Sequence, residues 1–213
     1  SSGAITNSGG SVTNFAGIQT LQLSANASLG GTGRFDIGRS GNNFGTIQGN
    51  GFTLTKNGTN LVVVRAPASN ITYVLNSGGL TFEDSDAATG SNTITVNGGT
   101  LGSFGTRTFG NNLNFTAAGA ILESGGNVGT WNGNISLNGD VTFRCSNAMV
   151  INGTVSGTGN ITKEGGSALR IGTGGTTGDI GTRNVNTTAA SRLEVNRSGS
   201  LTLAGNITGL NAF

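Results

Sequence analysis

The chain has 213 residues, 40 of them Gly, with one Pro, one Cys and no His. The lack of His excludes imidazole acid–base catalysis, His-based triads and His metal sites, and the single Cys145 excludes an intramolecular disulfide framework. Nine Arg and two Lys are scattered without a basic cluster for a formal charge of +2, and no apolar run approaches the ~20 residues of a bilayer span, so neither nucleic acid nor membrane insertion is expected.

Taken in order, the apolar residues fall as pairs spaced by two: Leu21/Leu23, Phe35/Ile37, Phe52/Leu54, Leu61/Val63, Leu80/Phe82, Ile94/Val96, Leu113/Phe115, Ile135/Leu137, Val141/Phe143, Leu169/Ile171, Leu193/Val195 and Leu201/Leu203. That spacing puts both members of a pair on one face of a short strand. Gly-bearing turns divide the pairs, and the lone Pro67, with no N–H for a ladder, belongs in a turn or loop. No window repeats at i, i+3, i+4 and i+7, so helix content should be close to nil. The aromatic residues are spread thinly.

Residues 49–63 and 157–171 spell one unit twice: a Gly turn, a short strand ending in Thr-Lys (Thr55-Lys56 and Thr162-Lys163), a second Gly turn and another strand. Degenerate relatives recur around residues 31–38, 75–82 and 198–207. Units this small cannot bury their own apolar face, so neighbours must supply the core. The sequence therefore predicts one continuous all-β domain over residues 1–213, a parallel β-solenoid of roughly ten coils. Its 27 Asn residues suit left-handed turn positions and amide ladders from coil to coil.

The search for chemistry yields no catalytic, cofactor-binding or metal-binding assignment. Glu83-Asp84-Ser85-Asp86 is the densest acidic cluster. Asp84 and Asp86 are candidate calcium ligands, but calcium needs six or more oxygens, and a solvated turn is the simpler reading. Arg34, Asp36 and Arg170 are expected as outward surface charge on strands. Gly172-Thr173-Gly174-Gly175 lacks the Lys of a phosphate loop and reads as a turn. Cys145 shares a face with Val141 and Phe143 and reads as a small buried side chain, with an intermolecular disulfide as the alternative. Asn-x-Ser/Thr sequons at Asn26, Asn57, Asn70, Asn114, Asn134, Asn152, Asn160, Asn186, Asn196 and Asn206 follow from the composition.

The spelling Gly157-x-Gly159-x-Ile161-Thr162-Lys163-x-Gly165-x-x-x-Leu169-x-Ile171, with residues 29–37 and 201–206, resembles the autotransporter-associated β-strand repeat of bacterial surface passengers. That resemblance implies a right-handed parallel β-helix, export, and display outside an outer membrane; no translocator barrel is present, and the repeats are irregular between residues 65 and 155. The expected function is a non-catalytic structural rod of the cell exterior. It would stack head-to-tail with copies of itself, since Leu201-Thr202-Leu203, the apolar tail Leu210-Asn211-Ala212-Phe213 and the strand-like residues 1–15 carry no recognisable cap, or it would join adjoining coils of a longer chain. An adhesin that takes surface glycans through a recognition loop over residues 65–92 is the alternative, and a polysaccharide lyase or hydrolase a third reading.

Overall fold

The computed structural model describes residues 3–13, 18–39, 41, 45–188 and 192–209. Every strand pairing among them is parallel, and strands three or so steps apart in sequence are neighbours in space, so the chain winds into a solenoid whose rungs stack along one axis. Three faces form its wall. The first is an eight-stranded sheet running from Gly3–Asn7 to Val155–Gly157.

The second is nine-stranded: Phe35–Ile37, Leu61–Val64, Gly79–Glu83, Thr100–Phe104, Ile121–Gly125, Val141–Cys145, Ile161–Glu164, Val185–Thr187 and Ile207–Thr208. The third is split into a three-stranded sheet, Thr20–Gln22, Thr46–Gln48 and Ala68–Ser69, and a five-stranded one from Arg107–Phe109 to Arg192–Val195.

Between those two sheets lies the 3-10 turn Asp86–Thr89, which touches both. The acidic sequence explains the break. Asp84 takes a left-handed backbone (φ 64°), the Ser85 hydroxyl accepts the Ala87 N–H at 3.2 Å as a cap, and Gly90 (φ 63°) ends the turn. This turn is the helical content of the described residues. Pro67 sits at the corner before Ala68–Ser69, where its carbonyl accepts the Ile47 N–H at 2.9 Å and its missing N–H leaves no ladder bond unmade.

The coils number about nine rather than ten, because those toward both ends are longer: Ala27 pairs with Leu54, 27 residues on, and Ile161 with Val185, 24 residues on, whereas Ile135 pairs with Val155, 20 residues on. At about 4.8 Å per rung this gives a rod roughly 40 Å long.

Alternation fills one unbroken core column from Leu23 to Val185. The expected pairs Leu80/Phe82, Ile94/Val96, Leu113/Phe115, Ile135/Leu137 and Leu169/Ile171 all point inward, each residue at most 1 % exposed. Leu61/Val63 is a correction. The inward residues are Val62 and Val64, in register with Leu80 and Phe82, so Leu61 and Val63 face outward. Four consecutive apolar residues carry no phase of their own, and the neighbouring rung sets it. Val195 is 51 % exposed, and Leu201 and Leu203 pack against the core without forming a strand.

Two further expectations change. Tyr73, Phe82, Phe109 and Trp131 form a continuous aromatic row inside the core, with ring centroids 5.2, 5.9 and 4.8 Å apart, so the aromatics are gathered rather than spread. Residues 65–92 form no projecting loop. They supply Ala68–Ser69, Thr72–Leu75, Gly79–Glu83 and the 3-10 turn, all within the wall. The stretch with irregular wording is regular in register, Leu113 with Ile135 and Ile135 with Val155. Phe15 and residues 210–213 lie outside the described residues.

The Asn ladders form as expected. Asn57, Asn76 and Asn97 are joined amide to amide at 2.8 Å, and Thr116 closes the run on Asn97 at 2.6 Å. Elsewhere Asn26, Asn112, Asn134, Asn160 and Asn184 each use a side-chain oxygen to accept the backbone N–H of a residue one coil on. Asn50 and Asn70 take left-handed turns, φ 52° and 47°. Most of the sequon asparagines thus have structural employment.

Candidate functional site

Each lysine of the chain belongs to a repeated Thr-Lys unit, Lys56 as the last residue of its strand and Lys163 as the next to last, and both are buried: Lys56 is 1 % exposed and Lys163 0 %. Each turns its ammonium into a corner. Lys56 Nζ donates to the Asn57, Gly58 and Ser77 carbonyls at 2.8, 3.0 and 3.1 Å. Lys163 Nζ donates to the Glu164 carbonyl at 3.1 Å and to the Gly165 and Ser167 carbonyls. Burial pulls the Lys56 pKa down to about 8 and lowers that of Lys163. These lysines are corner braces with no open approach, and no composition argument would have placed them inside.

The charges expected at the surface are partly interior. Asp36 lies between the core-facing Phe35 and Ile37, on the outward side of its strand, yet it is 0 % exposed because two arginines close over it. Arg34 forks onto it at 3.0 and 3.2 Å, and Arg65 Nε donates to its other side at 3.0 Å. The Arg65 guanidinium also binds Glu83 at 2.9 Å and Asp84, so three carboxylates converge on one cation. Burial works against the Arg65 charge, but the hydrogen bonds of Asp84 and Asp36 and the field of Glu83 outweigh it and hold the pKa above its ordinary value. Burial, with the fields of Asp84 and Asp36 helping, raises the Glu83 carboxyl against the opposing pull of Arg65.

Asp86 serves the next coil, accepting from Arg107 Nη1 at 3.3 Å and from the Thr108 N–H at 3.2 Å. The acidic cluster is therefore a cross-coil clamp rather than a solvated turn. Among the described residues no three His, Cys, Asp or Glu groups converge as metal ligands, and the calcium candidates Asp84 and Asp86 are engaged by Arg65 and Arg107.

Beside this clamp the outer surface of the second face opens into a groove of about 610 Å³, within the usual size of a ligand site. Arg34 and Arg65 border one end and Glu123 and Ser146 the other. Its floor is shaped by glycine: a Cβ on Gly102 would stand 2.6 Å from the Thr81 hydroxyl, so only Gly lets Thr81 lean into the groove. Phe104 stands between Glu83 and Gly125 in register, 48 % exposed, with one side of its ring resting on Gly126, where a Cβ would lie 2.8 Å from its Cζ. Glu123 accepts the Ser146 hydroxyl at 3.1 Å.

The sequence reading named none of Gly102, Phe104 and Glu123. The available signal was phase: Phe104 is out of step with its strand's inward residues Leu101 and Ser103.

The remaining candidates are ordinary. Arg170 pairs with Glu194 at 2.8 Å, and residues 172–175 form a bend between strands. Cys145 is wholly buried and its thiol is pushed up to about 11 by burial, which makes it a poor nucleophile and an inaccessible one. Searches with the chain against protein-family models, curated proteins and solved structures find no match.

Proposed function

We propose that the chain is a rigid, non-catalytic structural rod of the cell exterior, built to be continued coil upon coil. The observation that carries this reading is that the backbone ladders, the Asn ladders and the Lys and Arg clamps are directed along the rod axis, from one coil to the next. Such a wall resists bending and offers the same hydrogen-bonding edge to any further coil, in the same chain or in a second copy. The resemblance of residues 157–171 to the autotransporter-associated repeat supports export and surface display.

Electron microscopy and small-angle scattering of the purified chain at low and high concentration test the reading. Rod-shaped particles that lengthen into uniform fibres with strands across the axis are expected. Rods of constant length at every concentration would sink self-stacking and leave the rod as a segment of a longer chain. Turnover of a polysaccharide substrate would sink the non-catalytic assignment.

A further inference from the structure

The rod needs no groove on its wall, yet the second face carries one, and its lining has the composition of a carbohydrate site. We propose that this groove binds a neutral, hydroxyl-rich polysaccharide segment, with Phe104 as the platform for a sugar ring.

Four features of the groove combine. Phe104 is a large aromatic left 48 % exposed, whereas Tyr73, Phe82, Phe109 and Trp131 are buried, and its inner side is propped on Gly125 and Gly126, where no side chain competes for it. A ring held this way presents its outer side to the weakly polar C–H face of a pyranose. Around it, Glu83 and Glu123 offer carboxylate acceptors, Arg34 offers donors, and Thr81 and Ser146 offer hydroxyls that both give and accept. The outward Leu61 and Val63 add an apolar margin.

Charge decides the class. The charges of the groove are largely paired already: Arg34 is held by Asp36, and Arg65 by Asp36, Glu83 and Asp84, while Glu123 carries the Ser146 hydroxyl. A charged polymer would have to compete with those pairs, while a neutral glycan meets polar partners of either sign at no electrostatic cost. The groove is open along the rod axis and crosses at least five rungs, from Leu61 to Ser146, which suits a chain better than a compact ligand.

The test is a titration of the purified chain, followed by amide chemical shifts, with neutral hexasaccharides of glucose, mannose and xylose beside oligogalacturonate and oligoglucosamine as charged controls. At least one neutral oligomer is expected to bind and to move the amides of Thr81, Gly102, Phe104, Glu123 and Gly125. Phe104→Ala should weaken it tenfold or more and Glu123→Gln by a smaller factor, with thermal unfolding unchanged. The proposal is overturned if only a charged oligomer or none binds, if the shifts fall on another face, or if a folded Phe104→Ala chain binds as well as the parent. None of those outcomes alters the particle shape that tests the rod itself.

Discussion

Residues 49–63 and 157–171 share a spelling but not a place. The first copy runs from the first face to the second, through Thr53–Lys56 and Leu61–Val64; the other runs from the second face to the third, through Ile161–Glu164 and Ala168–Ile171. The unit therefore encodes a corner, a strand that sends a lysine ammonium from its end into a glycine turn, and more than one corner of the coil uses it. Lys56 gathers two carbonyls of its own turn and the Ser77 carbonyl of the next coil, and Lys163 gathers the Glu164, Gly165 and Ser167 carbonyls. What differs is the residue after each lysine: Asn57 starts an amide ladder, while Glu164 meets Arg144 at 3.4 Å.

The comparison breaks most severely if a lysine is removed outright. Lys163→Ala should cost about 3–5 kcal/mol in a denaturant melt, since it leaves both a cavity and carbonyls without their donor. A cost under about 1 kcal/mol would show that the corner does not need its brace.

Next come the turn glycines. Gly58 and Gly165 hold the same position, φ 78° and 83°, but a Cβ would lie 2.7 Å from the Gly31 carbonyl oxygen at the first and 2.4 Å from that of Cys145 at the second. Gly165→Ala should cost about 3 kcal/mol and Gly58→Ala less; the reverse order would mean the two corners relax differently from their geometry.

Methionine keeps the lysine stem and removes only the donor, at about 1–3 kcal/mol per site. Lys56→Met should in addition speed hydrogen exchange in the next coil around residues 76–79. Unchanged exchange there would mean that the bond to Ser77 does not tie the two coils.

The pH dependence follows with its sign. Lys56 titrates near 8 when folded against an ordinary value of 10.5, so between those values the unfolded chain holds more protons and stability rises with pH. Cys145 works oppositely: its folded value of about 11 lies above the ordinary 9.0, so stability is lost as pH climbs past 9. Midpoint denaturant concentrations should rise from pH 8 to 9 and flatten above it, with Lys56→Met reducing the rise and Cys145→Ala reducing the flattening.

The smallest effects sharpen the ladder against the ion pair. Asn76→Ala and Glu164→Gln should each cost about 1 kcal/mol or less, and only the second should depend on salt.

Much of the wall was legible because a two-residue period needs only a few residues to declare itself, and pairs such as Ile94/Val96 and Ile135/Leu137 did so. The reading failed where the pattern lost its phase, at Leu61-Val62-Val63-Val64, and where charge type stood in for location, at Asp36, Lys56 and Lys163. A carboxylate or an ammonium looks exposed in sequence because burying it alone is costly. One of the partners that offset that cost lies 29 residues away for Asp36, beside the local Arg34, and one lies 21 residues away for Lys56.

By itself the sequence determined the strand period, the glycine corners, the Asn ladders and the need for neighbouring coils to share a core, since all of these are set by residues within one or two turns of each other. Only the tertiary structure decided which side of a four-residue apolar run faces inward, which charges are interior, and that Gly102, Phe104 and Glu123 stand together on one outer surface. Those depend on register between coils about twenty residues apart, and a shift of one residue on a neighbouring rung would turn every one of them to the other side.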